Sequence, residues 1–302
     1  MITKDSKVLI TGCGGMLGEA VYGEFFQKCI VLATDIDLNE PWLKMLDVRN
    51  KDEVIRVVNE FNPDYIIHLA ALTDMEYCEK NLDNAYQTNT LSVLHLSREA
   101  TKRNIPFLFI STAGIFDGEQ NFYKEDDLPN PLSVYGRTKY LGELLALSIK
   151  KSIVIRAGWM MGGGPKKDKK FVNKIISQLK SGKKDIFALE DKLGVPCYTY
   201  DLARSIYYLL DQDLYGLYHG ACEGNSSRYD VAEHMLHCLD TDGNIKLHKV
   251  TSDFFKKDYF APRPYSEQLV NTALKQINPA LTRDWRVCLE EYLAKFNWGL
   301  DI

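Results

Sequence analysis

Tyr135 and Lys139 stand four positions apart in the run Asn130-Pro131-Leu132-Ser133-Val134-Tyr135-Gly136-Arg137-Thr138-Lys139. On a helix that spacing puts both on one face. A free tyrosine has a pKa of about 10 and exchanges protons poorly at neutral pH. A lysine cation ~5 Å away, at an effective dielectric near 20, favours phenolate by about 3 kcal/mol, or roughly two pKa units before burial takes some back. Such a pair suits general acid–base catalysis. Alone, Y-x-x-x-K is a common pattern, usually a solvated helix face, and it gains weight only beside a nucleotide-binding fold. Ser111 and Thr112 close the apolar run Phe109-Ile110. Their hydroxyls can bond a substrate carbonyl or hydroxyl; capping a turn is the competing use.

A second constellation is Thr11-Gly12-Cys13-Gly14-Gly15-Met16-Leu17-Gly18, after an apolar run and before a helical one. Gly12, Gly15 and Gly18 would allow a tight turn, the approach of a pyrophosphate to the backbone, and close helix–sheet packing, in that order. The helix N-terminus, with Met16 and Leu17 in it, offers free N–H groups and a partial positive charge to phosphates. Many turns are glycine-rich, but here the strand-before, helix-after context is met. Asp35 ends the next apolar run, 17 positions after Gly18. A carboxylate there accepts hydrogen bonds from the adenosine ribose and repels a 2′-phosphate, which leans toward NAD(H) over NADP(H). Asp37 competes for that role, Asp35 or Asp37 can equally begin a turn, and Lys44 and Arg49 lie close enough in sequence to pair a phosphate.

These residues need a scaffold. Strands are expected at Lys7–Thr11, Ile30–Thr34, Tyr65–Ala70, Pro106–Ser111 and Ser152–Arg156, alternating with helices at Met16–Lys28, Asp52–Asn62, Asn81–Asn104 and Ser133–Ile149. The alternation predicts a doubly wound parallel sheet, Rossmann-type, over residues 1–158, with part of 190–222 added to it. Near-continuous apolar strands suit a sheet covered on both faces. Beyond Trp159 the rhythm loosens. Helices at Lys170–Ser181, Tyr200–Asp211, Arg228–Leu239 and Val287–Phe296 and short strands near Asp185–Ala188, Leu217–Gly220 and Ile245–Val250 make 159–302 mostly a smaller α/β lobe for substrate.

The 302 residues are 45% hydrophobic and 11% aromatic, which excludes disorder. Net charge is −4, from 37 basic and 41 acidic residues, so nothing suggests a nucleic-acid binder. No apolar run approaches the ~18 residues of a membrane span, and the N-terminal apolar stretch is too short for a signal peptide. Seven scattered cysteines, none in CxxC spacing, read as reduced thiols in a cytoplasm-like compartment. The run Lys166-Lys167-Asp168-Lys169-Lys170 reads as a solvated loop ahead of a phosphate contact. His234-x-x-His237-Cys238 lies on one expected helix, which supplies too few ligands for a metal.

Taken together the chain resembles the extended short-chain dehydrogenase/reductase family. The residues that carry this are the glycine loop, Asp47-Val48, His68-Leu69-Ala70-Ala71, Asn89, Ser111-Thr112 and Tyr135-Gly136-Arg137-Thr138-Lys139. Within that family it is most similar to the dTDP-4-dehydrorhamnose reductase group, through Ala70-Ala71-Leu72-Thr73, Ser111 to Gly118, Asn130 to Gly136, Gly194 to Thr199 and Ala261-Pro262-Arg263-Pro264. The resemblance implies NAD(P)H-dependent reduction of a nucleotide-linked 4-keto-6-deoxy sugar, in nucleotide-sugar and cell-surface polysaccharide biosynthesis. It implies that Thr112 bonds the sugar oxygen, that Tyr135 is the general acid, and that Lys139 binds the nicotinamide ribose and tunes Tyr135. Asp47 and Val48 would flank the adenine. Ala70, Ala71 and Thr73 would line the cofactor groove, with Asn89 and Ser111 on the same side. Trp159 would face the substrate, and Arg263 would meet the diphosphate unless it is spent on a surface salt bridge. Members are often dimers, so a homodimer is one assembly the resemblance admits. One departure stands out: the group usually reads S-T-D-Y-V-F, and here Ala113-Gly114 replaces D-Y. The dehydratases of the family carry an acidic pair at that place, so their chemistry lacks its acid and base. A nucleotide-sugar epimerase and a non-catalytic regulatory subunit, like that of methionine adenosyltransferase, are the competing functions.

Overall fold

Five largely apolar runs and one two-residue segment form β1 (Lys7–Thr11), β2 (Ile30–Asp35), β3 (Lys44–Met45), β4 (Tyr65–His68), β5 (Phe107–Thr112) and β6 (Ser152–Ala157) in the computed structural model, which describes residues 1–241 and 243–300. With the Gly216–Gly220 strand they make one seven-stranded sheet. Its order is Gly216–Gly220, β6, β5, β4, β1, β2, β3, and every pair is parallel. Val8, Leu9, Ile10, Ile66, Ile67 and Ile155 are all buried, as strands covered on both faces require. The strand order reverses between β1 and β4. Ligands of such sheets bind at that reversal, beyond the carboxyl ends of the strands. The glycine loop follows β1, Ala70-Ala71 follows β4, and Ser111-Thr112 ends β5, so the topology gathers them at one rim.

The helices begin where side chains cap them. Asn50 accepts from the backbone N–H groups of Asp52 and Glu53 at the start of Lys51–Phe61. Ser133 accepts from Gly136 at 3.1 Å and so starts Val134–Leu147, the helix that carries Tyr135 and Lys139. That helix is tied to β6 by a buried ion pair, Glu143 to Arg156, at 2.7 Å.

The chain beyond β6 builds a second lobe. Asp185–Leu189 pairs with Lys246–Val250, and the helices Phe171–Lys180, Arg228–Cys238 and Trp285–Lys295 pack around Trp285, Tyr292, Ile175 and Ile176. The two halves are interleaved: Thr199–Asp211 returns to pack on Met16–Phe26, with Tyr207 edge-on to Phe25 at 5.2 Å. No helix among the described residues is long and apolar enough to cross a membrane.

Three departures from expectation have physical causes. The stretch read as one helix from Asn81 to Asn104 widens into a π turn at Gln87–Leu91. There Asn89 faces inward and clamps Leu72, accepting from its N–H at 2.8 Å and donating to its C=O at 3.0 Å. β3 has two residues, too few for any pattern to show. The basic run is solvated only in part: Lys166, Lys169 and Lys170 are exposed, but the run is anchored. Lys166 bonds Glu40 at 2.7 Å; Lys167 is 6% exposed, pairs with Glu40 at 3.2 Å and lies over the Trp42 ring; Lys170 donates to Thr73. The run pins the second lobe to the loop after β2.

Candidate active site

Gly12 has φ +71°, and a Cβ there would lie 2.2 Å from the Ala70 nitrogen, so only glycine fits against the β4 rim. A Cβ at Gly18 would meet the Cys13 carbonyl at 2.0 Å, which is the close packing of helix on loop. Gly15 is different. Its backbone is extended, and an added Cβ would touch only the Gly12 carbonyl at 3.5 Å. It is exposed at the N-cap of Met16–Phe26, where no side chain caps the helix. The N–H groups of Met16 and Leu17 therefore head an uncapped helix suited to a phosphate. We expect Gly15→Val to fold as the wild type does, with the melting temperature nearly unchanged, while NADH affinity falls roughly tenfold or more because a branched side chain stands on the phosphate face. Fluorescence titration with NADH checks this; wild-type affinity would assign the loop another use.

Asp35 reaches this loop. Its Oδ2 accepts from Gly14 at 2.9 Å and its Oδ1 from Asp37 at 3.0 Å. Asp37 itself is exposed and turns to Asn39. Asp47 is paired with Arg49 at 2.7 Å, which holds its carboxyl below the usual range, and Arg49 also bonds Asn84 at 2.9 Å. Val48 is buried beneath them. Ala70 and Ala71 are partly exposed on the groove floor, and Thr73 at its edge accepts from Lys170. Asn89 differs from its expected role. It is fully buried, and its amide is spent on Leu72 and Thr138, so it shapes the groove wall and has no free group for a cofactor.

At the end of β5 the Thr112 hydroxyl accepts from Gly114 at 3.1 Å and stands beside the Tyr135 ring, both facing Gly114. The turn cap weighed as the competing use is therefore present. Ser111 is buried and its hydroxyl has no partner. Tyr135 is partly buried against Cys78 and Leu72. Burial pushes its pKa up to about 12, the Thr112 hydroxyl opposes this, and the carboxylate of Glu267 adds to it. Lys139 does not lower it here. Its ammonium donates to the Ile110 carbonyl at 2.6 Å and sits 4.1 Å from the centre of the Phe109 ring. Burial pushes it down to about 7, with Glu143 opposing. The expected coupling of Tyr135 to Lys139 is absent, desolvation dominates, and the phenol holds its proton at neutral pH.

Trp159 faces the same space. A Cβ at Gly194 would meet its ring at 2.3 Å, so the glycine makes room for the indole. Trp159 donates to Glu267 at 2.7 Å and carries the Arg228 guanidinium 3.6 Å over its ring. Arg263 is near enough to repel Arg228, but its guanidinium is engaged. It forms a bidentate pair with Glu76, at 2.7 and 2.9 Å, which is the salt bridge weighed against a diphosphate contact. Arg228, by contrast, has no hydrogen-bond partner among the described residues, and burial pushes it down to about 10. Neither Glu267 nor Arg228 belongs to a motif legible in the sequence. The facing helix also corrects the ligand count at His234: Glu290 joins His234 and Cys238, with ligand atoms within 4.8 Å of one another. His234 bonds Glu290 at 2.9 Å and packs edge-on against Trp285, a tie between two helices.

The comparisons agree with this geometry. The family model of the RmlD substrate binding domain matches residues 6–298. The spore coat polysaccharide biosynthesis protein SpsK of Bacillus subtilis is 32% identical over 98% of this chain and 100% of its own length. A dTDP-4-dehydrorhamnose reductase of Aggregatibacter actinomycetemcomitans is 30% identical over 96% of this chain and 99% of its own. The crystal structure of a dTDP-4-dehydrorhamnose reductase from Bacillus anthracis, in complex with NADP, superposes with a TM-score of 0.87 at 27% identity, over 97% of this chain and 100% of that one. By its full-length match in sequence and fold, the chain belongs to the RmlD substrate binding domain family.

Proposed function

We propose that the protein is an NAD(P)H-dependent reductase of a nucleotide-linked 4-keto-6-deoxy sugar, acting in polysaccharide biosynthesis. The observation that carries this reading is the meeting of the Thr112 hydroxyl and a protonated Tyr135 phenol at the rim of β5, on the same sheet edge as the open Gly15 cradle. The residues fit a dinucleotide: Gly15 leaves its face clear, Asp35 stands at the end of β2, and the buried Ser111 hydroxyl lacks a protein partner.

A bound nicotinamide cofactor supplies the hydride that reduces the sugar carbon. Thr112 orients the keto oxygen by a hydrogen bond. Tyr135 gives that oxygen its proton, and its raised pKa keeps the proton in place until charge develops. Lys139, one turn along the helix, binds the nicotinamide ribose and supplies positive charge when the phenolate forms. Arg228, without a hydrogen-bond partner among the described residues and stacked on Trp159, takes the diphosphate contact first expected of Arg263. An epimerase would return its cofactor unchanged, and a regulatory subunit would only bind it. Oxidation of NADH and NADPH, followed against a panel of nucleotide 4-keto sugars, separates the three: stoichiometric loss of reduced cofactor supports the reductase, and binding without loss overturns it.

Cofactor choice gives a further expected result. NADH should serve at least as well as NADPH, because the Asp35 carboxylate stands where a 2′-phosphate would lie. Like charges a few ångströms apart at partial exposure cost on the order of 1–3 kcal/mol, or roughly tenfold in affinity. Arg49 is already held by Asp47 and Asn84, which leaves Lys44 as the basic side chain able to offset this. The ratio of kcat/KM for the two cofactors, in wild type and Asp35→Ala, is the measurement. Strong NADPH preference unchanged by the substitution would show that Asp35 plays no part.

A further inference from the structure

Glu267 stands where the sequence had shown a gap. Gly114 lacks the side chain that the reductase group carries after the catalytic threonine, and the space is filled from the short strand Ser266–Glu267, which pairs with Leu193–Gly194. A Cβ built on Gly114 would lie 3.4 Å from Glu267 Oε1, 3.5 Å from Thr112 Oγ1 and 3.6 Å from Tyr135 Cε1. Carboxylate, hydroxyl and phenol ring thus converge on one point. Glu267 Oε2 is held by the Trp159 indole at 2.7 Å, which fixes the carboxylate against the ring that faces substrate. Oε1 has no donor among the described residues. An acceptor fixed by one oxygen and unpaired at the other is half of a recognition element.

We infer that Glu267 is a substrate-reading carboxylate that accepts a hydrogen bond from a donor substituent, hydroxyl or ammonium, on the sugar carbon next to the keto group. The inference rests on the reductase reading above. It follows from where the keto oxygen must go. Thr112 and Tyr135 take that oxygen, so the Glu267 carboxylate, beside both, meets the neighbouring carbons of the ring. In a 4-keto-6-deoxy sugar one neighbour, C5, carries a methyl group and the other, C3, carries the polar substituent. Only the C3 group can donate to Oε1. Gly114 belongs to the same device, because a tyrosine there would occupy the volume the carboxylate holds.

The test compares kcat/KM for three nucleotide 4-keto-6-deoxy sugars, with a hydroxyl, an amino group or only hydrogen at C3, in wild type, Glu267→Ala and Glu267→Gln. A site built to bond a donor rejects the analogue that lacks it, so the wild type should favour the better donor substrate over the 3-deoxy sugar by about 100-fold or more. Glu267→Ala should reduce that ratio to below about tenfold, with the loss in kcat/KM larger for the donor-bearing sugars than for the 3-deoxy sugar. Glu267→Gln retains an oxygen for the Trp159 indole, so it separates reading from propping. If the amino sugar leads and Gln abolishes its lead, the donor is an ammonium; if the hydroxyl sugar leads and Gln keeps most of it, the donor is a hydroxyl. Equal loss on all three substrates, or an unchanged ratio in Glu267→Ala, would overturn the inference. Failure of the wild type to reduce any of the three would instead overturn the reductase reading.

Discussion

Tyr135→Phe is expected to lower turnover by a factor on the order of 100 or more, about 2.7 kcal/mol of transition-state stabilisation, and to leave cofactor affinity within about twofold. The substitution removes one oxygen. The ring keeps its packing against Cys78, Ala85 and Leu72, and Lys139 keeps its bond to Ile110, so neither the fold nor the ribose side of the groove is disturbed. What disappears is the proton held ready by a phenol whose pKa burial raises to about 12. Thr112 can still orient the keto oxygen but has no acid to hand on. Single-turnover oxidation of NADH in the variant, beside a binding titration, is the decisive pair of measurements. Unchanged turnover would sink the assignment of Tyr135 as acid; lost binding with it would mean that the residue is needed for the groove itself.

The largest effect on stability should come from Glu143→Ala. Glu143 and Arg156 are 1% and 3% exposed and joined by three contacts of 2.7 to 3.2 Å. Removing the acid strands a buried guanidinium whose remaining acceptors are the Glu125 carbonyl at 3.0 Å and His219 Nε2 at 3.4 Å. Such a break costs about 3–5 kcal/mol, and each kcal/mol lowers the melting temperature of a chain this size by roughly 2–4 °C. The loss reaches the site as well, because Glu143 sits one turn beyond Lys139 and favours its charged form. Thermal and denaturant melts of Glu143→Ala, and of the double variant with Arg156→Met, test the cause. Removing both charges should recover much of the loss, since it is the unpaired ion that is costly. A single variant within ~1 kcal/mol of wild type would contradict the account.

How much of this was legible beforehand follows the range of each signal. The glycine loop, the strands and the Tyr135–Lys139 spacing are local patterns, and the seven-stranded sheet with its rim of site residues follows from them. Local charge, however, says nothing about partners far along the chain. Lys167 looked solvated among its basic neighbours, yet Glu40 and Trp42 wait for it across the cleft. The diphosphate contact expected of Arg263 rests on its motif alone, whereas its pair with Glu76 and the Arg228 cation over Trp159 depend on residues far apart in the chain. The four-residue spacing of Tyr135 and Lys139 favours a lowered phenol pKa; burial, which no spacing reveals, raises it instead. Glu267 was invisible for the plainest reason: it lies far along the chain, while the gap it fills is at Gly114.

The interleaving of the two halves also sets a schedule for synthesis. β6 is complete at residue 157, but the strand that covers its outer edge spans Gly216–Gly220. At ~5–20 residues per second the ribosome needs roughly 3–13 s to cross that interval. Throughout it the growing sheet shows an unpaired edge to the surrounding solution. The helix that covers Met16–Phe26 arrives late as well, and Ile2 must wait for Asp211, 209 positions on, to bond its backbone at 2.7 Å. High contact order of this kind slows folding. The nascent nucleotide-binding half is therefore held open to chaperones, and to mispairing with other nascent chains, for longer than a self-contained sheet would be.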